Sequence, residues 1–128
     1  GGKRVMAESG GYYVEATILD GVEPQHRVAR EEIFGPVVVV STFADESEAL
    51  RTANDSIYGL AAAVWTKDMN AAHRFTSGIR AGTVWVNCFD RSSLATPFGG
   101  FRQSGFGRDR SPHAIEKYMD FKTVWTAY

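Results

Sequence analysis

Four valines in succession, Val37-Val38-Val39-Val40, directly follow a Gly35-Pro36 corner. More than any other stretch, they restrict what this chain can become. β-Branched side chains are stiff about χ1, and a run with no polar alternation has the pattern of a strand buried on both faces. Such strands belong to parallel sheets covered by helices. Pro36 cannot donate to a ladder and keeps Gly35 out of the α region, so it marks the start of the strand and not its middle. Just before the corner stand Glu31, Glu32 and Phe34. Polar groups at the mouth of a buried strand are placed to meet a ligand, although taken alone they read as a solvated loop beside Arg30.

The remainder of the chain supplies what such a strand needs. Residues 1–10 read as a glycine-rich turn or frayed end, and residues 12–19 as a strand stopped by Asp20-Gly21. A polar loop fills 21–30, and the valine strand runs over 37–43. Asp45-Glu46-Ser47-Glu48 has the spacing of a capping box, with Ala49, Leu50 and Ala53 on one helical face behind it. A second apolar run covers 60–65. Asp68 is placed to cap a helix carrying Met69, Ala72, Phe75 and Ile79, closed by Gly78 and Gly82. Residues 83–87 form a third strand. Both crossovers within 37–87 are long enough to hold a helix, which implies parallel strands with right-handed connections. The fold class expected is α/β, a partial doubly wound parallel sheet.

Ligands of open α/β sheets bind beyond the carboxyl ends of the strands, so the long glycine-rich segment 88–108 is expected to line a site. Ser111-Pro112 then starts a helix reaching about Met119. Residues 121–128, beginning at Phe121 and ending at Tyr128, alternate as a terminal strand with no obvious partner in the chain, a liability unless another chain covers it.

Several functions are disfavoured. A chain of 128 residues with 14 Lys and Arg against 15 Asp and Glu shows no basic stripe for nucleic acid, and no segment has the apolar length of a membrane span. Three scattered histidines and one cysteine give no metal-ligand spacing. Gly100 and Gly105 have P-loop spacing, but Phe106-Gly107 stands where Lys-Ser/Thr is required. The single cysteine, Cys88, fits a reducing cytoplasm and is expected to be an inert, packed thiol. A thiol enzyme built on it with His73 or His113 lacks a third, orienting group. The chain opens on Gly1 without an initiator methionine, as a piece of something longer would.

Residues 31–37, 58–66, 82–87 and Pro97-Phe98-Gly99-Gly100, in that order, resemble the C-terminal part of an NAD(P)-dependent aldehyde dehydrogenase. Gly107-Arg108-Asp109-Arg110-Ser111 with residues 113–118 is similar to the branch acting on γ-glutamyl-γ-aminobutyraldehyde and guanidinobutyraldehyde. The resemblance implies that residues 1–119 belong to the catalytic region and 120–128 to an oligomerisation strand, and that the protein is a homo-oligomer. It implies that Glu32 holds the nicotinamide ribose hydroxyls of NAD or NADP and that Phe34 packs beside that ribose. It places Asp90, Ser92 and Phe98 in the substrate tunnel of an aldehyde, with Asp90 suited to attract a cationic amine or, alternatively, a plain surface partner of Arg91. No position of this chain matches the family's nucleophilic cysteine or general-base glutamate, so the fragment by itself is expected to be inactive. The rival reading is a strand-exchanging interaction module without catalysis.

Overall fold

The computed structural model describes residues 1–128, which pack as two compact units, Gly1–Thr52 and Ala53–Tyr128. In the first unit, β1 (Arg4–Val5) pairs antiparallel with β2 (Tyr13–Val14), and β3 (Thr17–Leu19) pairs in parallel with β4 (Val37–Val39). A short helix α1 (Arg27–Arg30) lies in the connection to β4, and α2 (Glu46–Asn54) begins after it. In the second unit, β5 (Ala61–Val64) and β6 (Thr83–Val86) form a four-pair parallel ladder joined through α3 (Met69–Gly78).

Parallel pairing is therefore present as expected for the α/β class, but as separate two-stranded sheets. Five local readings are corrected. Arg4–Val5 is a paired strand and not a frayed end, and the segment 12–19 breaks at Glu15 and Ala16 into two short strands. The valine strand is not buried on both faces: Val38, 58% exposed, points to the opposite face from half-buried Val37 and Val39. Residues 112–118 wind as a 3-10 helix, not an α-helix, with Ser111 accepting from the His113 amide. Residues 121–128 pair with no strand, and the rings of Phe121, Trp125 and Tyr128 lie in solvent, since a strand without a neighbour has nothing to close its ladder.

The caps follow the sequence. Asp45 accepts from the Glu48 amide and the Ser47 hydroxyl, each at 2.8 Å, and these donors hold its carboxyl below the usual Asp value. The Glu48 carboxylate reaches back to the Ala44 amide, one residue before the position a strict capping box would use. Asp68 caps α3 through the Asn70 amide, and Ala72 on the inner face of that helix is buried.

Gly82 shows why the second unit tolerates no side chain at its centre. A Cβ there would fall 1.7 Å from the Gly99 carbonyl oxygen, so two backbone segments meet with only hydrogen between them. The Gly59 carbonyl accepts from both the Gly82 and Phe101 amides, and the Ser104 hydroxyl accepts from the Gly59 amide at 3.0 Å. The glycine-rich segment is thereby tied to the start of β5. Arg102, itself left-handed at φ 54°, adds bonds to the carbonyls of Asn54 and Ser56.

Candidate functional site

The expected site residues fall into the two units separately, Glu32 and Phe34 in the first and Asp90, Ser92 and Phe98 in the second. The two adjacent acids at 31 and 32 differ sharply. Glu31 is the C-cap of α1 and its carboxylate takes the Arg27 guanidinium at 2.7 Å, an i,i+4 pair that only a helical turn creates. Glu32, one residue beyond, is exposed and has neither hydrogen bond nor ion pair among the described residues. Phe34 is 97% exposed. The Gly35 amide donates to the Ile33 carbonyl at 2.7 Å, making a tight bend before β4. A short helix thus engages one carboxylate and leaves the next free, two residues before an exposed aromatic ring. That arrangement fits a ligand carrying vicinal hydroxyls and a flat ring.

At the carboxyl end of β6 the chain is bracketed. Asn87 adopts a left-handed conformation (φ 54°), its side-chain oxygen accepts from the Thr66 amide at 2.8 Å, and its side-chain amide donates to the Thr66 carbonyl at 2.9 Å. Its own backbone amide continues the ladder to Val64. Trp85, 9% exposed, packs its ring 5.2 Å from that of Phe89 and donates its indole N–H to the Arg91 carbonyl at 2.7 Å. Asp90, also left-handed at φ 52°, and Ser92 are the residues on either side of that pinned carbonyl, and both are exposed. Asp90 makes no ion pair with Arg91 among the described residues.

Phe98 is half-buried and held by two backbone bonds to Asp109, at 2.8 and 2.7 Å, in an isolated antiparallel bridge. The Arg110 guanidinium lies over its ring at 5.3 Å, and that of Arg108 over the Phe101 ring at 4.7 Å. The Asp109 side chain takes the Lys117 ammonium at 2.6 Å, and this bond with its charge holds the Asp109 carboxyl below the usual value. An open depression lined by Gly107, Arg108, His113, Glu116 and Lys117 contains none of the expected site residues. Cys88 is a half-buried free thiol, and His73 is exposed on α3. Neither the Asn87 clamp nor the Trp85 bond is announced by a local motif. Both join residues brought together only by the β5–β6 ladder.

The model for the aldehyde dehydrogenase family matches residues 1–124. The NADP/NAD-dependent aldehyde dehydrogenase PuuC of Escherichia coli (strain K12) is 52% identical over 109 residues, covering 85% of this chain and 22% of that protein. An aminoacetaldehyde dehydrogenase of Pseudomonas aeruginosa is 49% identical over 120 residues, covering 93% and 24%. The solved structure of a mutant P. syringae indole-3-acetaldehyde dehydrogenase, AldA, in complex with NAD+ and IAA superposes with a TM-score of 0.92 at 53% identity, over 100% of this chain and 26% of that one. The chain thus spans about a quarter of the length of the relatives it matches.

Proposed function

The chain belongs to the aldehyde dehydrogenase family, and from that membership we propose that it is part of an oxidoreductase oxidising an aldehyde to a carboxylic acid with NAD+ or NADP+. The observation that carries the reading is the unequal pair Glu31 and Glu32. One acid is spent on Arg27; the other is free, two residues from the exposed Phe34 ring. A free carboxylate has acceptor sites enough for both hydroxyls of a nicotinamide ribose, and an aromatic face confines that end of the cofactor without competing polar groups. When bound, the cofactor supplies the hydride acceptor.

The substrate we infer is an amine-derived aldehyde. Asp90 presents an exposed carboxylate without an ion pair, held on a bracketed turn where a cationic group can approach. Ser92 offers a hydroxyl and Phe98 an apolar wall. The kinship with an aminoacetaldehyde dehydrogenase supports this choice. Residues 1–119 would serve the catalytic region, and 120–128 would join a second copy as an oligomerisation strand, in a reducing cytoplasm that suits the lone thiol. Cys88 is not the nucleophile in this reading, so the chain alone does not turn over.

The complete enzyme should reduce NAD+ or NADP+ with ω-amino aldehydes in preference to neutral aldehydes of equal length. The chain alone should show no turnover and only weak binding when titrated into NADH and followed by fluorescence. Tight NADH binding by the isolated chain, or a complete enzyme indifferent to every aldehyde offered, would refute the proposal. The interaction-module alternative is favoured by one observation, the solvent-exposed apolar segment 121–128. It predicts self-association that disappears when that segment is deleted, with no aldehyde oxidation by any form.

A further inference from the structure

The substrate reading above names Asp90 and Ser92, but neither holds itself in place. Both are exposed, and Asp90 sits in the left-handed region that a non-glycine residue leaves readily unless its surroundings fix it. The fixed point between them is the Arg91 carbonyl, and its donor is the indole of Trp85 at 2.7 Å. Trp85 is the bulkiest of the buried side chains and stands in β6, whose register with β5 is set by four residue pairs. Its ring is further wedged by Phe89, which lies within the same short turn. The Asn87 clamp on Thr66 fixes where the turn begins, and the indole N–H fixes where it ends.

We propose that Trp85 is a positioning residue for the substrate site, acting through the Arg91 carbonyl to set the direction of Asp90 and Ser92. The inference rests on the reading of Asp90 as the group that receives the substrate's cation. A buried indole is well suited to the task. It has one donor, no competing acceptor, and a rigid ring that packing holds in a single orientation. Without the N–H the Arg91 carbonyl has no donor, and Asp90 samples several directions at the mouth of the site. The consequence is specific to charge, because a neutral aldehyde makes no use of the carboxylate.

The test is made in the complete enzyme with Trp85→Phe, which keeps an aromatic ring against Phe89 but removes the donor. Asp90→Asn and the double variant complete a cycle, and each form is assayed with an ω-amino aldehyde and a neutral aldehyde of the same length. Trp85→Phe should raise KM for the amino aldehyde about five-fold, the worth of one ordinary hydrogen bond, while kcat and the neutral KM stay as they were. In the Asp90→Asn background the same change should have no further effect. Equal rises for both aldehydes, or independent effects that multiply in the double variant, overturn the inference while leaving Asp90's role standing. An Asp90→Asn enzyme with unaltered KM for the amino aldehyde overturns the substrate reading itself, and the inference with it. Phe89→Leu serves if Trp85→Phe does not fold. Phe89 is 67% exposed, so its replacement leaves the fold intact while loosening the indole. It should give a smaller rise in KM confined to the amino aldehyde, and no rise overturns the inference.

Discussion

The two parallel strand pairs, β3–β4 and β5–β6, are built on the same plan and finished differently. Around β5–β6 the backbone is closed by side-chain bonds from Asn87, Ser104 and Trp85 and by glycines that let main chains touch. Around β3–β4 the side-chain bracing sits at the start of β3, where the Thr17 hydroxyl accepts from the Gly2 amide and donates to the Glu15 carbonyl, each at 2.7 Å, and Ile18 and Val38 turn 73% and 58% of their surface to solvent. The difference teaches that a parallel pair alone does not hold a loop in place; the residues just past the strand ends do. It also separates the two kinds of candidate residue. Asp90 lies on a bracketed turn, whereas Glu32 is singled out by being left unbonded next to an engaged neighbour in sequence.

The sharpest way to break that comparison is to place one methyl group in each region. Gly82→Ala drives a Cβ into the Gly99 carbonyl, backbone against backbone, and should destabilise by about 3 kcal/mol or more in denaturant unfolding. Gly35→Ala, with nothing within 4 Å of the added atom, should change stability by less than about 0.5 kcal/mol. Comparable losses at the two positions would mean that the close backbone approach is not what braces the second unit.

Next in size is Asn87→Ala. It removes both bonds to Thr66 and puts alanine at φ 54°, a loss of about 1–2 kcal/mol that hydrogen exchange should localise to the Thr66 amide. Asp68→Ala, which strips the α3 cap, should cost about 1 kcal/mol. The smallest effect is in titration. The carboxyls of Asp45 and Asp109 are both depressed in the folded protein, so the stability they contribute is complete above the ordinary Asp value of about 3.9 and is lost as pH falls through their lowered values. NMR titration should find both midpoints below the ordinary value. Lys117→Met should move the Asp109 midpoint upward and leave that of Asp45 in place, because the Asp45 donors are the Glu48 amide and the Ser47 hydroxyl.

What could be read beforehand were features whose cause is local. The β4 valines, the β5 and β6 runs and the caps at Asp45 and Asp68 each announce themselves within a few residues. Arg4–Val5 and Arg27–Arg30 are too short for any periodicity, and their partners lie elsewhere in the chain. Ser111-Pro112 signals a helical start equally for an α or a 3-10 turn, so the tighter winding of Pro112–Tyr118 was not legible. The terminal alternation of 121–128 has strand chemistry, but pairing needs a neighbour. Of the candidate site, the residue types could be picked out in advance; the unequal engagement of Glu31 and Glu32 and the indole bond behind Asp90 could not. One depends on a four-residue helix and the other on which side chain a ladder brings to a loop.

The central claim is that the free carboxylate at Glu32 grips the ribose of a nicotinamide cofactor. The most direct measurement is calorimetric titration of NAD+ or NADP+ into the complete enzyme and its Glu32→Gln variant, with Glu31→Gln as the companion. Glu32→Gln should weaken cofactor binding about ten-fold, as loss of a charged hydrogen-bond acceptor does, while Glu31→Gln leaves it nearly unchanged. Equal dissociation constants for the parent and Glu32→Gln proteins would contradict the account.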